Sequence, residues 1–108
     1  MNGIELISLE RIQQKTKHGF TPEKDARYTN NQLFFAAVCF HYEDAAMYPE
    51  DWDTDVFDKI VRKTRAQQLA IAGALYMAED DRTGGGLCQP YIHECAKMID
   101  NILSWGHE

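Results

Sequence analysis

Residues 56–82 read VFDKIVRKTRAQQLAIAGALYMAEDDR, and this stretch decides the fold. Apart from Gly73, nothing in it breaks a helix. Phe57, Ile60, Val61 and Thr64, then Leu69, Ala72, Leu75, Tyr76 and Ala78, recur at three- and four-residue steps, the spacing of one helix face. Uninterrupted, the stretch makes one helix of about 40 Å at about 1.5 Å per residue. A bend near residues 62–66, where the apolar stripe thins, is the alternative. Gly73 costs a helix about 1 kcal/mol relative to Ala, so it marks a close crossing with a neighbouring helix.

Helical patterns continue on both sides. Residues 3–17 carry Ile4, Leu6, Ile7, Leu9 and Ile12 on an apolar side, and His18-Gly19 supplies a stop. Thr21-Pro22-Glu23 has the form of a cap, a first-position Pro and a first-turn acid. Asn30 is placed to cap a helix over 31–47, NQLFFAAVCFHYEDAAM, apolar over so much of its surface that it belongs at the centre of a bundle or at an oligomer interface. YPEDWDTD (48–55) is a loop in which acids surround Trp52. TGGG (83–86) is a hinge or turn, and Pro90 opens a last helix with Ile92, Cys95, Ala96, Ile99, Ile102 and Leu103 on one face. No alternating run or Asn-Gly hairpin suggests a strand. The expected fold is all-α, a bundle of four or five helices in a single domain over 1–108, assembled as an oligomer. The C-terminal helix, over 87–106 beyond the Gly-rich segment, is placed to reach a neighbouring subunit.

Composition narrows the function classes. With 17 acids against 11 Lys and Arg the formal charge is -6, which weighs against generic duplex nucleic-acid binding and leaves room for a local basic pocket. Three cysteines without a CxxC pair fit a reducing cytoplasm better than a disulfide framework. No signal segment opens the chain and no apolar run reaches the roughly 20 residues of a membrane span, so a cytoplasmic protein without membrane attachment is expected.

The order Glu10-Arg11-x-x-Gln14, Gly19-Phe20-Thr21-Pro22-Glu23-x-Asp25, Leu33-x-x-Ala36-Ala37, then Ala72-Gly73-Ala74-Leu75 with Ala78-Glu79 and Arg82 is distinctive in combination. Over roughly residues 8–82 it resembles a family of small helical phage and prophage proteins with the pattern ERxxQ…GWTPEHDD…AGALIxAEIERL. The resemblance implies a small helical protein made in a host cell's cytoplasm. The chain departs from the pattern at Gln68-Leu69-Ala70-Ile71, where the family has Asp-Leu-Val-Lys, and at Asp25-Ala26, where it has Asp-Asp. The Trp-rich segment is reduced to Trp52 and Phe57, with Lys59 in the place of a family lysine.

Two readings of Glu10, Arg11 and Gln14 stand side by side. They form either a self-pairing helix end that fixes the following turn through Asp25, or an anion clamp in which Arg11 grips phosphate while Glu10 and Gln14 read a base or ribose. Metal binding through Glu10 and Asp25 is the remaining use. Lys59, Arg62, Lys63 and Arg65 are the only concentrated positive charge. They make either a solvated face or, with Trp52 or Phe57 for stacking, a compact phosphate site.

Catalytic signatures are lacking. All-α nucleotide pyrophosphohydrolases hold magnesium with ExxE and ExxD carboxylates. Here no ExxE exists, the only ExxD is Glu50-Asp53, and Glu43-Asp44 and Glu79-Asp80-Asp81 read as solvated helix ends. Cys88, His93 and Cys95 fall short of a four-ligand zinc site, Cys39 in AAVCF reads as core, and Gly84–Gly86 lacks the lysine of a phosphate loop. No cofactor is expected. The function expected first is an oligomeric binder that sequesters a small phosphorylated ligand, such as a cyclic or modified nucleotide of host immune signalling. Its candidate ligand residues are Glu10, Arg11, Gln14, Asp25, Trp52, Lys59, Arg62 and Arg65. An inhibitor of a host protein and a metal-dependent pyrophosphohydrolase are the alternatives.

Overall fold

The computed structural model describes residues 1–17 and 31–105. These form five α-helices: α1 (Gly3–Lys17), α2 (Gln32–Tyr42), α3 (Thr54–Val61), α4 (Arg65–Thr83) and α5 (Gln89–Ser104), with a 3-10 turn at Ala45–Met47. No strand occurs among the described residues. The expected all-α class holds.

The 56–82 stretch is two helices. Thr64 ends any continuity, because its hydroxyl accepts from the Gln67 N–H while the Gln67 side-chain oxygen accepts from the Thr64 N–H, each at 3.2 Å. This reciprocal capping box fixes an N-terminus inside the pattern. The Gln68 amide then donates to the Val61 and Lys63 carbonyls at 3.2 and 3.1 Å, satisfying acceptors at the end of α3 that have no partner within the helix.

α4 is the hub, packed against α1, α2 and α5. Every residue from Leu69 to Tyr76 is buried, and the small side chains of Ala70, Ala72, Gly73 and Ala74 let three neighbours close in. A Cβ on Gly73 would lie 2.7 to 2.9 Å from the Ile7 side chain, so Gly73 does mark a close crossing, with α1. The 31–47 helix is therefore not the central one. It also ends at Tyr42, because Glu43 turns into the left-handed region at φ 55. Asn31, at φ 61, precedes its first turn without a side-chain cap bond, and Asn30 and the Thr21-Pro22 cap lie outside the described residues.

α5 folds back along α4 and does not leave the chain's own core, since Ile92, Cys95, Ala96 and Ile99 are all buried. Gly84, at φ 72, closes α4 by donating to the Asp80 carbonyl at 2.7 Å. The Asp80 carboxylate accepts from the Cys88 N–H and the Gln89 side chain at 2.9 and 3.1 Å. The Gly-rich segment is thus a tied turn. At the far end, Asn2 and Glu5 form a second reciprocal cap at the start of α1. The Gly3 N–H there donates to Asp100 of α5 at 2.6 Å.

Candidate functional site

The start of α4 and the end of α3 make a basic corner. Lys59, Arg62 and Lys63 are exposed, and Arg65 is half-buried. Arg65 is positioned by the end of α2: its guanidinium donates to the Phe40 carbonyl at 2.5 Å and to the His41 carbonyl, and lies 3.8 Å from Glu43. A cation on these terminal carbonyls offsets the negative end of the helix dipole. Beside the corner lies a cleft of about 180 Å³ lined by Phe40, Phe57 and Val61, with Glu43 and Gln68 as polar lining. Tyr48 packs on Phe57 at 5.0 Å and on Trp52 at 6.1 Å between ring centroids. Trp52 is half-buried in this aromatic group, so it anchors the loop before α3.

Arg11 and Gln14 belong elsewhere. Arg11 is 5% exposed, and its Nε and terminal nitrogen reach Asp81 of α4 at 3.3 and 3.0 Å, with Lys15 at 3.8 Å from the same carboxylate. Gln14 is buried, and its side-chain oxygen has no hydrogen-bond partner among the described residues. Glu10 points another way, onto a groove of about 460 Å³ lined by Leu6, Leu9, Ala66, Ala70 and Leu103. Asp25 lies outside the described residues. Arg65 and Asp81 stand 16 residues apart on α4, about 24 Å at the helical rise. The eight candidate residues therefore do not share one recess: Lys59, Arg62 and Arg65 gather where α3 meets α4, Trp52 packs on Tyr48 beside Asp51, which reaches Gln32 at the start of α2, and Arg11 meets the other half of α4.

The acidic candidates are engaged as well. Glu79, expected at a solvated helix end, is buried and accepts from Arg82 at 2.5 Å, and Glu43 faces Arg65. Among the described residues, no group of three or more His, Cys, Asp or Glu side chains is placed to hold a metal ion. His93 is exposed while Cys88 and Cys95 are buried. Burial pushes the Cys88 and Cys95 thiols up to about 12 and that of Cys39 up to about 11, so these thiols rest protonated.

One constellation left no mark on the sequence. His41 of α2 is fully buried; its Nδ1 lies 2.9 Å from the Tyr76 hydroxyl of α4 and its Nε2 lies 3.4 Å from Glu94 of α5. The partners stand 35 and 53 residues away, so no local spacing announces them. The one available signal is a histidine within an otherwise apolar helix.

Comparison with family models, with curated proteins and with solved structures returns no match in any of the three. Among the described residues, no helix is long and apolar enough to cross a membrane.

Proposed function

We propose that this chain is a binding protein that captures a small phosphorylated ligand at the corner between α3 and α4. The observation that carries the proposal is local. In a chain of formal charge -6, Lys59 on α3 and Arg62 and Lys63 in the connection to α4 stand exposed, with Arg65 and an aromatic-lined cleft beside them. Flexible cations, the positive end of a helix dipole and ring surface are the elements that phosphate and base recognition use. The phage-family resemblance over 8–82 adds the biological proposal that the ligand is a nucleotide immune signal of the host, sequestered to blunt defence.

Calorimetry with adenosine triphosphate and inorganic pyrophosphate tests the reading. Saturable binding that weakens with salt and is lost in the Arg62→Glu, Lys63→Glu double variant is expected, with Arg11→Gln as a control that retains it. No saturable heat, or undiminished binding in the charge-reversed protein, overturns it. Self-association through the outward face of α2, where Phe35 is 38% and Tyr42 52% exposed, belongs to the same proposal and is read by sedimentation. The second reading, inhibition of a host protein, draws on the exposed acids Glu50, Asp51, Asp53, Asp55 and Asp58. A stoichiometric protein partner with no co-purified nucleotide would favour it.

A further inference from the structure

The His41 cluster joins three helices through one imidazole. The ring comes from the last turn of α2 and is fully buried, stacked on Tyr42 at 4.0 Å between centroids. Tyr76 of α4 meets Nδ1, and Glu94 of α5, whose side chain is half-exposed, stands at Nε2. Arg65 of α4 grips the His41 carbonyl from the other side. Tyr76 in turn stacks on Tyr91 of α5 at 5.2 Å, with Cys88 and Cys95 close enough to raise its hydroxyl's pKa further.

Hydrogen-bond roles select one tautomer. An ionised carboxylate only accepts, so the proton belongs on Nε2, aimed at Glu94, and Nδ1 accepts from the Tyr76 hydroxyl. At 3.4 Å the Nε2–Glu94 approach is a loose charge contact, and Nε2 makes no well-formed hydrogen bond among the described residues. A second proton would turn Nδ1 into a donor. Tyr76 would then have to accept, and its own hydrogen would be turned away from its nitrogen partner into a setting of aromatic rings from Phe34 and Tyr91.

We propose that His41 is a proton-operated latch: neutral, it ties the end of α2 to α4 and α5, and protonated, it lets that end go. Burial, partly opposed by Glu94 and reinforced by Arg65, holds His41 below the ordinary histidine range. The released imidazole titrates near its usual value of about 6.5. As pH falls through that value the released state takes up a proton that the latched state refuses, so the contribution present at neutral pH is lost on acidification. One pH unit below the usual value, release rises about tenfold. On the described helices the charged groups that shift His41 are Glu94 and Arg65.

The test uses the whole protein and nuclear magnetic resonance of its imidazole nitrogens. The latch requires the Nε2–H tautomer at neutral pH and a His41 midpoint below the usual histidine value of about 6.5. It also requires about a tenfold loss of amide exchange protection at Phe40–Tyr42 as pH falls one unit below the usual histidine value, with Ala72–Leu75 unchanged. Glu94→Gln, at a half-exposed position that tolerates change, lowers the His41 midpoint further by removing the carboxylate that favours imidazolium. A His41 midpoint at or above the usual histidine value, a midpoint indifferent to Glu94→Gln, or an α2 end insensitive to acid each overturns the latch.

Discussion

α3 and α4 are neighbours in sequence with the same apolar spacing, yet they occupy opposite environments. All of α4 from Leu69 to Tyr76 is buried, whereas α3 contributes no fully buried residue. Periodicity identifies both as helices; side-chain size decides how many neighbours each one takes. α4 alternates Leu, Ile and Tyr with Ala and Gly and can be surrounded. α3 carries a single stripe, Phe57 and Ile60 against the core, and turns Asp55, Asp58 and Lys59 outward. The buried helix carries the fold, and the half-wet one lies along its surface.

The largest expected effect sharpens that contrast. Leu69→Ala removes a fully buried side chain from α4 and costs about 3 kcal/mol of stability. Val61→Ala, 44% exposed on α3, costs under about 1 kcal/mol. Urea unfolding of the two variants measures both, and equal losses would break the distinction.

Next comes the buried cation. Arg11→Ala leaves Asp81 without its main partner, but Asp81 is 43% exposed and water can replace the contact, so the loss is about 1–2 kcal/mol. Arg62→Ala changes stability by no more than about 0.5 kcal/mol. Reversal of that order would place the structural arginine at the wrong end of α4.

Gly73→Ala sets two effects against each other. The added methyl meets Ile7 within 3.0 Å, an overlap of about 1–3 kcal/mol, while better helix propensity returns about 1 kcal/mol. A net loss of about 1 kcal/mol is expected, reduced when Ile7→Val is added. Stabilisation by Gly73→Ala alone would mean that α1 does not cross there.

The smallest effect tests the break between the two helices. Thr64→Ala deletes a cap and costs about 0.5–1 kcal/mol. Were 56–82 a continuous helix, the same change would stabilise it by a few tenths of a kcal/mol, because Ala is the better helix former.

What was legible followed local rules. The helices over 3–17 and from Pro90 onward, the Gly73 crossing and the absence of strands among the described residues come from spacing and propensity. The thinning apolar stripe localises a bend to 62–66, but the reading of Thr64 as part of that stripe passes over the Thr64–Gln67 capping box that makes the break. Contacts between distant residues were not legible. Arg11 finds Asp81 across 70 positions, Arg65 is held by backbone carbonyls that any sequence would offer, and His41 draws partners from two other helices. The helix over 31–47 is shorter than its pattern predicts because Glu43 turns left-handed, a conformation rare outside glycine, and the following Asp44 N–H closes onto the Cys39 carbonyl.

The most direct test of the central claim is an amide-resolved titration of the full chain with inorganic pyrophosphate. Saturable shifts confined to Lys59–Gln67 and the lining of the adjacent cleft are expected, with the amides around Arg11 and Asp81 unmoved. Shifts centred on Arg11, or none that saturate at the α3–α4 corner, would contradict it.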